Sequence, residues 1–104
     1  MANMTKFESY MGFCSKARKM VTGYNTVLSE MEKGKVLLLV LASDLSVNTL
    51  DKITGAAKSL GVDYRVTSTI DELSHMTGKE DKGIYAIKDS NFANVIADAI
   101  DHNI

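Results

Sequence analysis

A continuous apolar run from Val36 to Ala42 is the feature that most constrains the fold of this chain. A strand with one solvated face alternates apolar and polar residues, whereas this run has no polar side chain. A membrane-spanning helix needs about twenty apolar residues, so the run is also too short to cross a bilayer. The run therefore predicts a central β-strand covered on both faces by other elements.

Periodicity and capping signals divide the rest of the chain into alternating helices and strands. Proline is absent, so glycines and capping residues mark the helix ends. Asn25 or Thr26 is the expected cap of the second helix, and Ser46 or Asn48 that of the third. Thr69, with Glu72 three residues on, is expected to form a capping box at the fourth. Helices are predicted over 3–17, 25–33, 47–60, 69–76 and 90–102, and strands over 20–22, 36–42, 62–67 and 84–88. This alternation predicts an α/β fold, a three-layer α/β/α sandwich with helices on both faces of the sheet.

The composition predicts a single globular domain over residues 1–104. Of the residues, 45% are hydrophobic and 24% are charged. The single cysteine, Cys14, excludes an intrachain disulfide and a multi-cysteine zinc site. Proteins without disulfides are typical of the reducing cytosol. Residues 1–10 are too polar for a secretory signal. We therefore expect a cytoplasmic protein that does not enter a membrane.

Signatures of catalysis and of cofactor binding are scarce in the chain. No G-x-G-x-x-G follows a strand, and Gly34-Lys35 lacks the glycine loop of a phosphate-binding Walker motif. His75 and His102 match no metal-ligand spacing and are expected on the surface. Cys14 lies on the apolar stripe of the first helix and is expected in the core. We expect no enzymatic activity, no cofactor and no metal site.

Charge is distributed unevenly along the chain, although the formal net charge is only −1. Residues 1–35 carry six basic and three acidic groups, a net charge of +3. Residues 36–104 carry six basic and ten acidic groups, a net charge of −4. A nucleic-acid contact would therefore depend on a local surface rather than on bulk charge.

The stretch from Arg18 to Lys35 carries the strongest binding signal. A basic cluster leads into a short strand, a glycine turn and the start of a helix, whose unpaired N–H groups form a ready phosphate site. Asn25 can hydrogen-bond a base edge, and Tyr24 could stack on a base or simply pack. On composition alone, a capped helix with a solvated lysine face explains the same residues.

Three longer phrases and a short one carry a family resemblance: K-A-R-K-M-V-T-G at 16–23, L-A-S-D-L-S-V-N-T at 41–49, M-T-G-K-E-D-K-G-I-Y-A-I-K-D at 76–89 and F-A-N at 92–94. In order and spacing they resemble the family of kink-turn RNA-binding ribosomal proteins, and within it the bacterial YlxQ-type branch. The resemblance covers about residues 4–100. It implies an α/β/α sandwich around a four-stranded mixed sheet, and a non-enzymatic RNA-binding protein associated with the ribosome.

Two patches contact RNA in that family. The first is a G-x-N-E turn with its helix, in which Gly23 and Asn25 match. Thr26 stands here at the glutamate and Ser29 at the helix lysine. The second is an apolar loop before the last strand, on which a flipped-out base packs. That loop falls on 78–83, which is polar and charged in this chain.

The predicted RNA-binding residues are Arg18, Lys19, Gly23, Tyr24, Asn25, Thr26, Ser29, Lys33, Lys79 and Lys82. The expected partner is structured RNA, with the ribosome or ribosomal proteins as further partners, and the chain is expected to be a monomer. The alternative hypothesis is a protein-interaction module of the same fold that has lost kink-turn RNA binding.

Overall fold

The structure of the chain is a computed structural model, which describes residues 5–80 and 83–104. Helices and strands alternate along the described residues, which confirms the predicted α/β class. In chain order they are α1 (Lys6–Lys16), β1 (Met20–Thr22), α2 (Tyr24–Glu32), β2 (Leu38–Leu41), α3 (Val47–Leu60), β3 (Asp63–Val66), α4 (Ile70–Thr77), β4 (Ile84–Ile87) and α5 (Ser90–Asp101).

The strands form a four-stranded sheet in the order β1-β4-β2-β3. β4 pairs antiparallel with both β1 and β2, while β3 pairs parallel with β2, so the sheet is mixed as expected. Val40 lies opposite Tyr85 on one side and opposite Arg65 on the other. With these directions, β1, β2 and β3 end, and β4 begins, at one edge of the sheet. We call this the turn edge, because it carries Gly23, Ala42, Thr67 and Gly83.

Two cores lie on the two faces of the sheet, because successive side chains of a strand point to opposite faces. In β2, Leu38 and Val40 enter the core shared with α1, α4 and α5. Leu39 and Leu41 enter the core shared with α2 and α3. All four are buried, and burying a side chain of this size contributes roughly 1.5–3 kcal/mol. The predicted central strand is therefore correct in kind.

The predicted strand 36–42 is longer than the observed one. Leu37 is 46% exposed and lies just before the first residue of β2, Leu38. Its N–H already donates to the Ile87 carbonyl at 2.9 Å. An apolar run thus marked the strand, but its limits depended on where the partner strands begin.

Capping side chains define the starts of most helices. Ser46 accepts from the Thr49 N–H at the start of α3, and Thr69 with Glu72 forms the predicted capping box of α4. Thr5 caps α1, so the helix begins later than the predicted Asn3, which lies outside the described residues. None of the described helices is long and apolar enough to cross a bilayer.

We predict that Gly83→Ala lowers the free energy of unfolding by about 2–4 kcal/mol. Gly83 has φ +62°, and an added Cβ would lie 2.9 Å from Ile70 Cγ1 and 3.0 Å from Leu45 Cδ2. The control is Gly55→Ala in α3, where an added Cβ meets no atom within 4 Å. Because alanine favours a helix, this control should gain about 0.5–1 kcal/mol in urea denaturation. A Gly83→Ala variant as stable as the parent would contradict the described packing.

Candidate functional site

Gly23 makes the turn between β1 and α2. Its φ of 92° and ψ of 146° form a backbone conformation that residues with a Cβ rarely adopt. Its N–H donates to the Ile84 carbonyl at 3.1 Å, and its carbonyl accepts from the Val27 N–H at 2.9 Å. Gly23 is therefore the N-cap of α2. The expectation that Asn25 or Thr26 caps this helix is wrong, because the helix begins before them, at Tyr24.

The start of α2 exposes hydrogen-bonding groups at the turn edge. A glycine cap has no side chain, and among the described residues no side chain caps the first-turn N–H groups of this helix. Asn25 and Thr26 are exposed beside those N–H groups. Tyr24 is half-buried and packs against the core under α2 and α3, so of the two roles considered for it, packing is observed.

A polar stripe runs down α2 from this turn. Asn25, Ser29 and Lys33 are spaced four residues apart along the helix and its C-cap. This spacing places them on one side of the helix, over a length of about 12 Å. Asn25 and Lys33 are exposed and Ser29 is half-exposed. The helix thus aligns three of the predicted RNA-binding residues.

The loop before β4 ends beside the Gly23 turn. The Gly83 carbonyl accepts from the Ala42 N–H at 2.8 Å, and the next residue, Ile84, accepts from Gly23. The start of the loop is anchored by the buried Tyr85, whose hydroxyl donates to the Lys79 carbonyl at 3.2 Å. Lys79 is exposed, whereas Lys82 lies outside the described residues. The fold therefore places the described end of this loop next to the Gly23 turn.

Residues 41–44, with the sequence L-A-S-D, form hydrogen bonds that link the other strand ends at the turn edge. The Ser43 hydroxyl donates to the Ser68 carbonyl at 2.8 Å. The Asp44 carboxylate accepts from the Ile70 N–H at 2.8 Å, at the first residue of α4. These bonds join the ends of β2 and β3 to the helix that precedes the loop. Ser43 and Asp44 thus have a structural role in positioning the edge.

Lys19 does not lie at this edge. It precedes β1, so it is four residues of extended chain, about 13 Å, from Gly23 at the other end of that strand. Its carbonyl accepts from the Lys88 N–H at 2.8 Å, at the opposite edge of the sheet. Arg18 is exposed next to it, with φ 59° and its N–H donating to the Ser15 carbonyl. The predicted site therefore separates into two regions, one at each end of β1.

Glu30 organises the second region. Its carboxylate lies 2.6 Å from Lys88 Nζ and 3.7 Å from Lys33 Nζ, and only 14% of its side chain is exposed. Its backbone carbonyl accepts from the Lys35 N–H at 3.0 Å. The hydrogen bond from Lys88, followed by the nearby charges of Lys88, Lys33 and Lys35, holds the pKa of Glu30 below its usual value. We call Arg18, Lys19, Lys33, Lys35 and Lys88 together the basic end.

Sequence reasoning did not include Lys88 and Lys35 among the binding residues. Lys88 lies in the acidic half of the chain, 58 positions after Glu30. The only available signal was that Lys88 directly follows a strand. Its position beside Lys19 follows from the pairing of β4 with β1, which no local sequence pattern specifies.

The residues considered for catalysis are dispersed. Burial, with Asp89 nearby, raises the pKa of the Cys14 thiol to about 12, so it is protonated at neutral pH. Cys14 is fully buried and both histidines are exposed, as expected. Over residues 5–80 and 83–104, His, Cys, Asp and Glu form no group of three or more that could hold a metal ion.

The chain is a small α/β domain in which a mixed β1-β4-β2-β3 sheet lies between two helical layers. At one edge of the sheet, the start of α2, which has no side-chain cap, lies next to the end of the loop before β4. The model of the ribosomal protein L7Ae/L30e/S12e/Gadd45 family matches residues 5–97, and the chain belongs to this family. This confirms the resemblance inferred from the sequence.

One curated relative and two solved structures are similar to this chain. The RNA-binding protein YlxQ of Bacillus subtilis (strain 168) is 31% identical over 91 residues, which cover 88% of this chain and 91% of that protein. A solved structure of a protein with unknown function from Bacillus halodurans has a TM-score of 0.90 at 28% identity, covering 94% of this chain and 99% of that one. The 15.5kD RNA binding protein of Giardia lamblia shares the fold, with a TM-score of 0.78 at 17% identity, covering 93% and 83%.

We predict that Glu30→Gln destabilises the chain at neutral pH and that the effect fades in acid. A carboxylate whose pKa is lowered by folding stabilises the fold above its usual pKa of 4.5, and that stabilisation is lost as the pH falls. The measurement is urea denaturation of parent and variant across the acid range. Glu32→Gln, at an exposed carboxylate of the same helix, is the control and should have a smaller effect. A difference that is independent of pH would contradict the ion cluster.

Proposed function

We propose that this chain is a non-enzymatic, cytoplasmic RNA-binding protein that associates with the ribosome as a monomer and binds structured, kink-turn-like RNA at its turn edge. The observation that carries the proposal is the start of α2 at Gly23, which has no side-chain cap and is hydrogen-bonded to Ile84 at the end of the loop. Family membership supports it, as does the YlxQ relative, which is named as an RNA-binding protein.

The proposed mechanism begins with the backbone of the turn. Gly23 has no side chain, so an RNA backbone can approach closely, and the free N–H groups of the first turn of α2 can bind a phosphate. Asn25 is exposed next to them and can donate to and accept from a base edge. Lys79, exposed at the start of the loop, adds a charge for a second phosphate.

Two positions and one loop weaken this interface relative to the family pattern. Thr26 retains a hydroxyl but lacks the carboxylate that accepts from base amino groups. Ser29 lacks a charge worth about one phosphate contact in salt dependence. A polar loop offers no stacking surface, which is worth about 1–3 kcal/mol per base. We therefore infer that Asn25 and the backbone amides carry most of the discrimination, with lower affinity for the kink.

We predict that the chain binds a kink-turn RNA more tightly than a straight duplex of the same composition. The contacts at the turn edge need bases and phosphates brought together by the kink, which a straight duplex does not present. The measurement is a fluorescence titration of both RNAs at two salt concentrations. Equal and strongly salt-dependent binding to both would instead indicate a protein that reads phosphates of another RNA.

We predict that Asn25→Ala reduces the preference for the kinked RNA by about 1–3 kcal/mol, the value of a good bidentate base contact. Asn91→Ala is the matched control, because Asn91 is also exposed and is also the second residue of its helix, α5. The control should bind both RNAs as the parent does. Equal preference in the parent and both variants would remove Asn25 from the site.

An apolar groove between α1 and α5 favours the second candidate, a protein-interaction module. Tyr10, Phe13, Phe92 and Val95 line it, and Phe13 is 59% exposed. The test is recovery of a partner after nuclease digestion, comparing Phe13→Ser with Leu60→Ser at another exposed apolar position. A partner that survives nuclease and is lost only in Phe13→Ser would support this candidate.

A further inference from the structure

Five cations from three separate segments meet at the basic end. Arg18 and Lys19 come from the α1–β1 turn, Lys33 and Lys35 from the end of α2, and Lys88 from the end of β4. The segments are hydrogen-bonded together: Lys88 N–H to the Lys19 carbonyl, and Leu37 N–H to the Ile87 carbonyl. Four of the five side chains are exposed, and Lys88 is 32% exposed. These basic side chains therefore form a positively charged surface.

The carboxylates on these segments do not neutralise the positive charge of the basic end. Glu30 is ion-paired with Lys88 and Lys33 and mostly covered. Asp89 caps α5 by accepting from the Phe92 N–H at 3.0 Å. Glu32 is exposed at the end of α2, so on these three segments three carboxylates oppose the five cations, and two of these carboxylates are already engaged within the fold. The net charge is positive, and Lys19 and Lys35 remain exposed to a ligand.

The basic end continues the polar stripe of α2. The stripe runs from Asn25 through Ser29 to Lys33, which belongs to both surfaces. Its length of about 12 Å matches roughly three successive phosphates of one duplex strand. A duplex that lies along α2 from the Gly23 turn would therefore place its backbone on the basic end.

We propose that the basic end is a second binding surface, which holds the sugar-phosphate backbone of an RNA stem extending along α2 from the kink. The proposal rests on the proposed function, since it requires RNA at the turn edge. Lysine ammonium groups are flexible point charges, so this surface binds phosphates without reading sequence. Glu30 positions Lys88 and Lys33 at its centre, and the added charges offset the one missing at Ser29.

The test compares a Lys19→Ala/Lys35→Ala double variant with a Lys52→Ala/Lys58→Ala double variant. All four side chains are exposed, and the control pair lies on α3, outside the three segments that form the basic end. The probes are one kink-turn RNA with both stems of about one helical turn, the same RNA with either stem cut to the minimum that folds, and a straight duplex. Binding is measured as a function of salt.

The expected result is specific to stem length. With both stems long, Lys19→Ala/Lys35→Ala should bind several-fold more weakly than the parent, and the slope of log K against log salt should fall by about 2. The effect should vanish when one particular stem is cut, and the control should match the parent throughout. Circular dichroism of both double variants is the check that they are folded.

The other outcomes separate this proposal from the proposed function. If the parent prefers the kinked RNA but the double variant matches it on every probe, the basic end does not bind the stem, while the turn edge stands. If the variant loses affinity equally for all stem lengths, the cations act near the kink and the stem contact is wrong. If the parent binds no RNA at low salt, or binds kinked and straight RNA alike, the proposed function fails and this proposal fails with it.

Discussion

The insertion of β4 between β1 and β2 is the constraint on which the rest of the structure depends. β4 is the last strand in sequence, yet all four of its side chains are buried, between the strands that carry the turn and the central apolar run. Its first residue accepts from the Gly23 N–H, and the residue after its end donates to the Lys19 carbonyl. One strand thus positions both ends of β1. The loop before β4 and the lysine after it reach their places for the same reason.

The two surfaces differ in how they can bind. At the turn edge the interacting groups are backbone N–H groups, one glycine without a side chain, and neutral side chains such as Asn25 and Thr26. Such groups are directional and depend on geometry. At the basic end the groups are ammonium and guanidinium charges, two of them ion-paired with Glu30, and such charges act over longer distances and are weakened by salt. A ligand that spans both would combine a specific contact with a nonspecific one.

Local patterns predicted the elements well because their causes are local. Ser46 precedes a helical stripe, Thr69 and Glu72 form a capping box, and both helices begin where these signals place them. The prediction that Asn25 caps α2 was wrong, although asparagine is among the residue types that often cap helices. Here the antiparallel partner of β1 already holds Gly23 at the position where the helix starts. Tertiary pairing thus overruled a local preference.

The sequence by itself determined the fold class, the buried central strand and the family, because hydropathy period, helix signals and the order of short phrases are all properties of the linear chain. It also singled out the Gly-x-Asn turn and the loop before β4. Only the tertiary structure decided that Lys19 lies away from that turn and that Lys88, which is ion-paired with Glu30, lies next to Lys19. Strand order brings residues together across dozens of positions, and the energy that selects it comes from burying both faces of the sheet at once rather than from any local segment.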